Sequence, residues 1–371
     1  MATVGDRMRR QRLVSALRAN GTLRSAPVIA AFAEVPRSRF VPEETSPEDA
    51  YADHALVLTT DASGRPTSTI SQPSMVALML EQLRAGPGDR VLEVGTASGY
   101  TAALLAEMVR PAGRVVTVEL DATLAEAAAD RLAQCWPEVT VRSGDGWPGA
   151  PDAAPFDRMH ITVGVDDLSP HWLAQLPDGG VLVVPITVRP AVELSVAFER
   201  RGAELVSRSV RPCGFVRLRG PHAAPSGAFV LEGVGTVLTD WANDTQEQQL
   251  RSVLTTDPVD GGPIGAPSEG WATRLALEQP HPLTVLKQPP GLSIQPGLHD
   301  PVGGGVALVD GNRLFGHGHP GAMWLLKEQL AGGDPLPALS LRLIARPAGA
   351  QPPPGRWTVH RRHFSYGIDS G

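Results

Sequence analysis

Val91-Leu92-Glu93-Val94-Gly95-Thr96-Ala97-Ser98-Gly99-Tyr100 reads in three parts. The apolar run before Gly95 has the character of a buried parallel strand, and Gly95 to Gly99 make a turn whose backbone must come close to a ligand. The following Tyr100 to Val109 carries apolar residues at helical spacing. Strand, glycine turn and helix together form the opening unit of a nucleotide-cofactor fold. In such a unit the ligand lies over the turn, and the helix N-terminus attracts an anionic group.

The spacing within the turn is G-x-x-x-G, whereas a dinucleotide pyrophosphate prefers G-x-G-x-x-G. The turn therefore points away from NAD and toward S-adenosylmethionine, whose aminocarboxypropyl end needs a carboxylate-binding turn. Glu93, Gly95, Thr96, Ala97, Ser98 and Gly99 are the candidate contacts. Taken alone, a glycine turn is also a plain strand-to-helix connection, and two further features decide. Val115-Val116-Thr117-Val118-Glu119-Leu120 ends the next strand on an acid. Glu119, with Leu120 beside it, is placed to accept hydrogen bonds from ribose hydroxyls, although a lone Glu at a strand end is often just solvated. Gly144-Asp145-Gly146 follows the strand Val139-Thr140-Val141. A carboxylate between two glycines there accepts the exocyclic amine of adenine, or else forms a tight turn. All three features lie at carboxyl ends of strands, where open α/β sheets bind ligands.

A chain of 371 residues predicts two domains, and its net charge of −6 argues against nucleic acid as the main partner. Cys135 and Cys213 form no C-x-x-C and read as buried thiols in a reducing cytosol. No apolar run is long enough to span a membrane and no export signal is evident, so a soluble, cytoplasmic monomer with no membrane partner is expected. His317-Gly318-His319 and the pair His360 and His363 are the close histidines. The second pair falls in a predicted strand, where residues three apart face opposite sides, so no metal is expected.

Along the chain, helices are expected over about 5–20 and 26–34. Arg7, Arg9, Arg10, Arg12, Arg18, Arg24, Arg37 and Arg39 outnumber Asp6 and Glu34 there. They read as a solvated face, or as a basic rim that attracts an acidic peptide. Residues 41–68 carry turn residues and read as irregular. Thr69-Ile70-Ser71-Gln72-Pro73 then leads into a helix ending near Leu83, and Ser71 has the position of an N-cap. From 90 to 220 strands alternate with helices: 90–94, 114–119, 138–142, 156–163, 180–185, 192–199 and 213–218. That pattern predicts an α/β, mostly parallel sheet covered on both faces, with an antiparallel hairpin at one edge. Residues 221–228 read as a linker to a smaller α+β domain. There, strands are expected at 229–237, 305–309, 338–344 and 357–368, with a helix at 320–331 that ends at Gly332-Gly333.

The first 220 residues resemble the protein-L-isoaspartate O-methyltransferase family. The resemblance rests on Ala19-Asn20-Gly21, Val35-Pro36-Arg37 through Phe40-Val41-Pro42, Ala50-Tyr51-Ala52-Asp53 and Ile70-Ser71-Gln72-Pro73 with Met75. Leu92 to Gly95, Gly144-Asp145-Gly146, Ala154-Pro155-Phe156-Asp157, Gln175-Leu176 with Gly179-Gly180, and Val184-Pro185 complete it. The resemblance implies a Rossmann-like class I methyltransferase. S-adenosylmethionine is the implied donor, S-adenosylhomocysteine the product and a peptide carboxylate the acceptor. It places the Ser71 hydroxyl beside that carboxylate, with Ile70 and Gln72 lining the same loop. The implied organisation is 1–68 as N-terminal helices and a substrate-side loop, 69–220 as the cofactor domain and 221–371 as a substrate-recognition domain.

Three departures from the repair enzymes fall on the substrate side. The loop Ile161-Thr162-Val163-Gly164-Val165-Asp166-Asp167 replaces a run of small residues. Val188-Arg189-Pro190-Ala191-Val192-Glu193-Leu194 replaces a Gly-Gln-x-Leu segment, and the chain continues beyond 220, where most repair enzymes end. Thr162, Val163, Gly164 and Arg189 are the candidate substrate contacts. These features resemble the actinobacterial branch that accompanies lanthipeptides and graspetides. The resemblance implies methylation of one Asp in a precursor peptide, with collapse of the ester to aspartimide or isoaspartate. General isoaspartate repair and a non-catalytic peptide-binding module are the alternatives.

Overall fold

The computed structural model describes residues 4–370 apart from 63, 191, 224–227, 266, 268–269, 288–292 and 333–335. Part of the expected linker, Ala191 and Gly333 thus lie outside the described residues. Helices α1 (Val4–Ala19) and α2 (Ala26–Glu34) pack on each other and cover one side of the core. Of the arginines in and around these helices, Arg7, Arg12, Arg18 and Arg24 are exposed, and others are engaged. Arg9 pairs with Glu48 at 2.7 Å, Arg10 donates to the Glu34 carbonyl, and Arg37 is fully buried with its guanidinium over the Tyr100 ring.

Residues 41–68 are more ordered than their turn residues suggest. β1 (Leu56–Thr60) and β2 (Pro66–Ile70) form an antiparallel ribbon whose second strand runs straight into the Ser71 loop. Then follow α3 (Pro73–Leu83), β3 (Arg90–Val94), α4 (Tyr100–Val109), β4 (Arg114–Glu119), α5 (Ala122–Ala133), β5 (Val139–Ser143), β6 (Arg158–Ile161), α6 (Pro170–Gln175) and β7 (Val181–Arg189). The parallel strands lie in the order β5-β4-β3-β6-β7, so the direction of winding reverses between β3 and β6. That reversal opens a crevice at the carboxyl ends of β3 and β6. Elsewhere on the sheet, Gln82 of α3 exchanges hydrogen bonds with Ser195.

The antiparallel part is larger than the expected edge hairpin. β8 (Val192–Arg201) and β9 (Glu204–Pro212) continue the sheet from β7, whereas 213–218, expected as its last strand, is an extended segment with one bridge from Arg217 to Gly164. The chain then builds a seven-stranded antiparallel sheet from β10 (Ala228–Leu231), β11 (Gly235–Leu238), β12 (Val259–Pro263), β13 (Pro282–Lys287), β14 (Ser293–Asp300), β15 (Gly305–Asp310) and β16 (Arg313–His317). It carries α7 (Asp244–Leu254), α8 (Trp271–Glu278) and α9 (Gly321–Ala331) and has its own apolar clusters. The last strands, β17 (Leu341–Pro347), β18 (Trp357–His360) and β19 (Phe364–Ser370), leave that sheet and return to the first. β17 pairs with β9, so residues 341–370 extend the cofactor sheet to ten strands instead of completing the second unit. The physical gain is that β9 is no longer an open edge. Among the described residues no helix is long and apolar enough to cross a membrane.

Candidate active site

The crevice between β3 and β6 is a cleft at the carboxyl ends of the parallel strands. It gathers Gly95, Thr96, Ala97 and Ser98 from the glycine turn, Glu119 and Leu120 from the end of β4, Gly146, and Thr162 and Val163 beyond β6. Ile70 and Ser71 close it from the β2 side.

Geometry explains the turn. Gly95 has φ +100°, and a Cβ there would lie 2.4 Å from Thr162 Oγ1. Thr162 Oγ1 lies 2.9 Å from the Val94 carbonyl and 2.7 Å from that of Gly95. Thr162 thus first serves to tie the turn to β6. Glu119 braces the turn from the other side: its carboxylate accepts from Ala97 N–H at 2.8 Å and from Asp121 N–H at 3.1 Å. Each oxygen keeps a lone pair that a ribose hydroxyl can use.

Glu93 is not in the cleft. It is fully buried beneath the turn, accepting from Thr117 Oγ1 at 2.6 Å, and Thr117 in turn lies 2.6 Å from Thr96 Oγ1. Burial pushes the Glu93 carboxyl up, opposed by His160 at 3.9 Å. Its support therefore reaches the cleft only through Thr117 and Thr96. Gly99, at φ +89°, is the N-cap of α4 and also stands behind the turn. Asp145 makes the tight turn, one of its two readings. One oxygen accepts from Trp147 N–H at 2.9 Å, which is the tight turn, and the other lies 4.0 Å from His222. Gly144 and Asp145 are not among the residues that line the cleft, whereas Gly146 lines it with no room for a Cβ, which would meet Val94 at 2.3 Å.

Ser71 is not the N-cap of α3. Gln72 holds that position without a side-chain bond, and Asp53 caps the helix from outside by accepting from Ser74 N–H at 2.8 Å. The Ser71 hydroxyl has no hydrogen-bond partner among the described residues and lines the cleft, while Gln72 is exposed and does not.

The segment Val216 to Arg219 also lines the cleft. It was legible only as an apolar stretch resembling a strand. Gly164 stands outside the cleft and fastens this strap, donating to the Val216 carbonyl and accepting from Leu218 N–H, both at 2.9 Å. Glu193 lies behind Gly164 and accepts from Phe215 N–H at 2.7 Å. Burial pushes its carboxyl up to about 7 from an ordinary 4.5, against the pull of Arg217. The native state then holds a proton that the unfolded chain has released between those two values, so stability falls as pH rises through that window. Glu193→Gln is expected to match the parent near pH 4.5 and to exceed it by on the order of 2 kcal/mol at pH 8, read by urea denaturation at both pH values.

Arg189 does not reach the cleft. It donates to the carbonyls of Ala276 and Gln279 at the end of α8, both at 2.9 Å, and pairs with Asp240 at 3.1 Å. A charged residue at a hairpin tip is here spent on holding the second unit. Arg189→Ala is expected to destabilise the protein by about 2 kcal/mol, with cofactor affinity unchanged. Chemical denaturation and calorimetry with S-adenosylhomocysteine check the two halves.

These residues fit a donor with an anionic tail, a ribose and a base. Besides the turn, Glu119 and Asp145, the buried Ser98 Oγ at the cleft wall has no partner among the described residues. A bound polar tail would satisfy it.

Residues 8–222 match the family model described as protein-L-isoaspartate(D-aspartate) O-methyltransferase. A protein-L-isoaspartate O-methyltransferase of Methanopyrus kandleri is 42% identical over 216 residues, 58% of this chain and 92% of that one. One of Ignicoccus hospitalis is 39% identical over 211 residues, 57% of this chain and 97% of that one. A solved structure titled protein-L-isoaspartate O-methyltransferase aligns with 98% of this chain and 99% of its own at a TM-score of 0.55 and 24% identity. That likeness speaks for the fold alone. With a family model spanning more than half its length, the chain belongs to the protein-L-isoaspartate(D-aspartate) O-methyltransferase family and is a S-adenosylmethionine-dependent protein carboxyl O-methyltransferase.

Proposed function

We propose that this enzyme esterifies the side chain of one Asp in a ribosomally made precursor peptide, and that the ester closes to aspartimide, which persists or hydrolyses to isoaspartate. The observation that carries this reading is where the chain departs from the repair enzymes. The cofactor side keeps their pattern, whereas the loop 161–167, which departs from it, borders the cleft and holds the strap 216–219 across it.

S-adenosylmethionine, when bound, supplies an electrophilic methyl group on a sulfonium. The glycine turn would hold its aminocarboxypropyl end, Glu119 its ribose and Asp145 its base. The acceptor carboxylate is ionised at pH 7 and needs no general base. What the protein must do is place a carboxylate oxygen in line with the methyl carbon and keep water out, and such placement supplies roughly 7–11 kcal/mol in well-oriented systems. Ser71 donates its free hydroxyl to one oxygen and leaves the other to attack. Methylation then converts a poor leaving group into methanol, and the next residue's backbone nitrogen closes the five-membered imide.

General isoaspartate repair is the second reading, favoured by the relatives' names. Methyl transfer to an Asp of a ribosomally made precursor peptide, with little or none to a generic isoaspartyl peptide, is the outcome the first reading requires. The reverse selectivity establishes repair.

A further inference from the structure

Beside the cleft, and sharing Arg217 and Leu218 with it, lies an open hollow of about 960 Å³ between the loop after β6, the segment after Gly220 and the turn between β18 and β19. Its charges do not cancel. Asp166 is taken by Arg217, at 2.7 and 3.0 Å. Asp167 is spent on Tyr366 Oη, Leu168 N–H and His363 N–H. Arg361 donates to two neutral carbonyls, those of Asp166 and Val188, and reaches Asp240 only at 3.9 Å, where Arg189 already binds at 3.1 Å. Arg362 is exposed into the hollow and has no partner among the described residues. Trp147 and His222 supply a flat face, with their rings stacked at 5.2 Å and 8°.

We propose that this hollow binds a second carboxylate of the peptide substrate, an Asp or Glu side chain near the one to be esterified, with Arg362 as its charged partner and Trp147 and His222 against its methylene groups. Arg361 stands beside Arg362, offset by the Asp167 carboxylate that lines the same hollow, and the shared Arg217 and Leu218 make the hollow continuous with the reaction site. The enzyme would then select acidic peptides by a contact that plays no part in the methyl transfer itself. This rests on the reading above that the cleft esterifies a peptide carboxylate.

The test compares two hexapeptides with one isoaspartyl residue, flanked in one by glutamates and in the other by lysines, by calorimetry with the S-adenosylhomocysteine-loaded protein. The glutamate peptide is expected to bind about fivefold tighter, and Arg362→Glu to remove or invert that preference. Equal affinities in the parent protein, or a preference that survives Arg362→Glu, would overturn the proposal. Methyl transfer is followed in parallel samples in which S-adenosylmethionine replaces S-adenosylhomocysteine. Preference without transfer to these isoaspartyl peptides supports the hollow and agrees with the Asp-directed reaction, preference with transfer supports the hollow and favours repair, and transfer without preference counts against the hollow.

Discussion

Ser71→Ala is expected to lower methyl transfer about 100-fold, the scale on which a misplaced reacting group loses rate, while S-adenosylmethionine affinity stays within about threefold. Three observations set the size and the split. The hydroxyl lines the cleft, it has no partner among the described residues, and the helix that follows is capped by Asp53 and Gln72 without it. Removing it therefore leaves the fold of α3 untouched, so the loss falls on orientation of the acceptor. Single-turnover rates with saturating peptide, paired with calorimetry, separate the two effects. A rate within threefold of the parent would remove Ser71 from the reaction.

The second large effect is expected at the glycine turn. Gly95→Ala should weaken S-adenosylhomocysteine binding by about 100-fold or more, since a non-glycine residue forced to such a φ costs on the order of 1–3 kcal/mol before any clash is counted. The clash is real: the added methyl would lie 2.4 Å from Thr162 Oγ1 and 3.1 Å from Val163 Cγ1. Thr162 cannot turn away without giving up its contacts with the Val94 and Gly95 carbonyls. The turn must open instead, and the bond from Ala97 N–H to Glu119 goes with it. Gly86→Ala, at a site with nothing within 4 Å and no positive φ, is the matched control and should bind normally. Affinity within threefold of the parent in Gly95→Ala would mean that the cofactor does not lie on this turn.

The parallel half of the fold was legible because each of its strands is a short apolar run that ends at a turn residue. β3 and β4 fall on their expected residues, and β5 is displaced by one. Glu119 was legible for the same reason: it is the polar residue that ends such a run. What escaped was pairing at a distance. The return of β17 to β9 depends on an edge left open some 130 residues earlier, which no local pattern records. β1 and β2 were hidden by Pro66 and by the threonines and serines that face both ways. Arg189 was misplaced because a hairpin tip gives no sign of the α8 carbonyls it binds. Glu93 was assigned to the cofactor as part of the turn motif. Its position inside the strand, where alternate residues point to opposite faces, puts it under the turn.

The chemistry of the transferred methyl group is the most direct test of a carboxyl acceptor held beside Ser71. With the parent protein, S-adenosylmethionine labelled in its methyl group and the precursor peptide, label on the peptide is expected to leave as methanol on addition of base, whether the ester hydrolyses or closes to the imide. A methyl group that resists base, as on nitrogen or sulfur, would contradict it. So would the absence of any transfer from a preparation that binds S-adenosylhomocysteine.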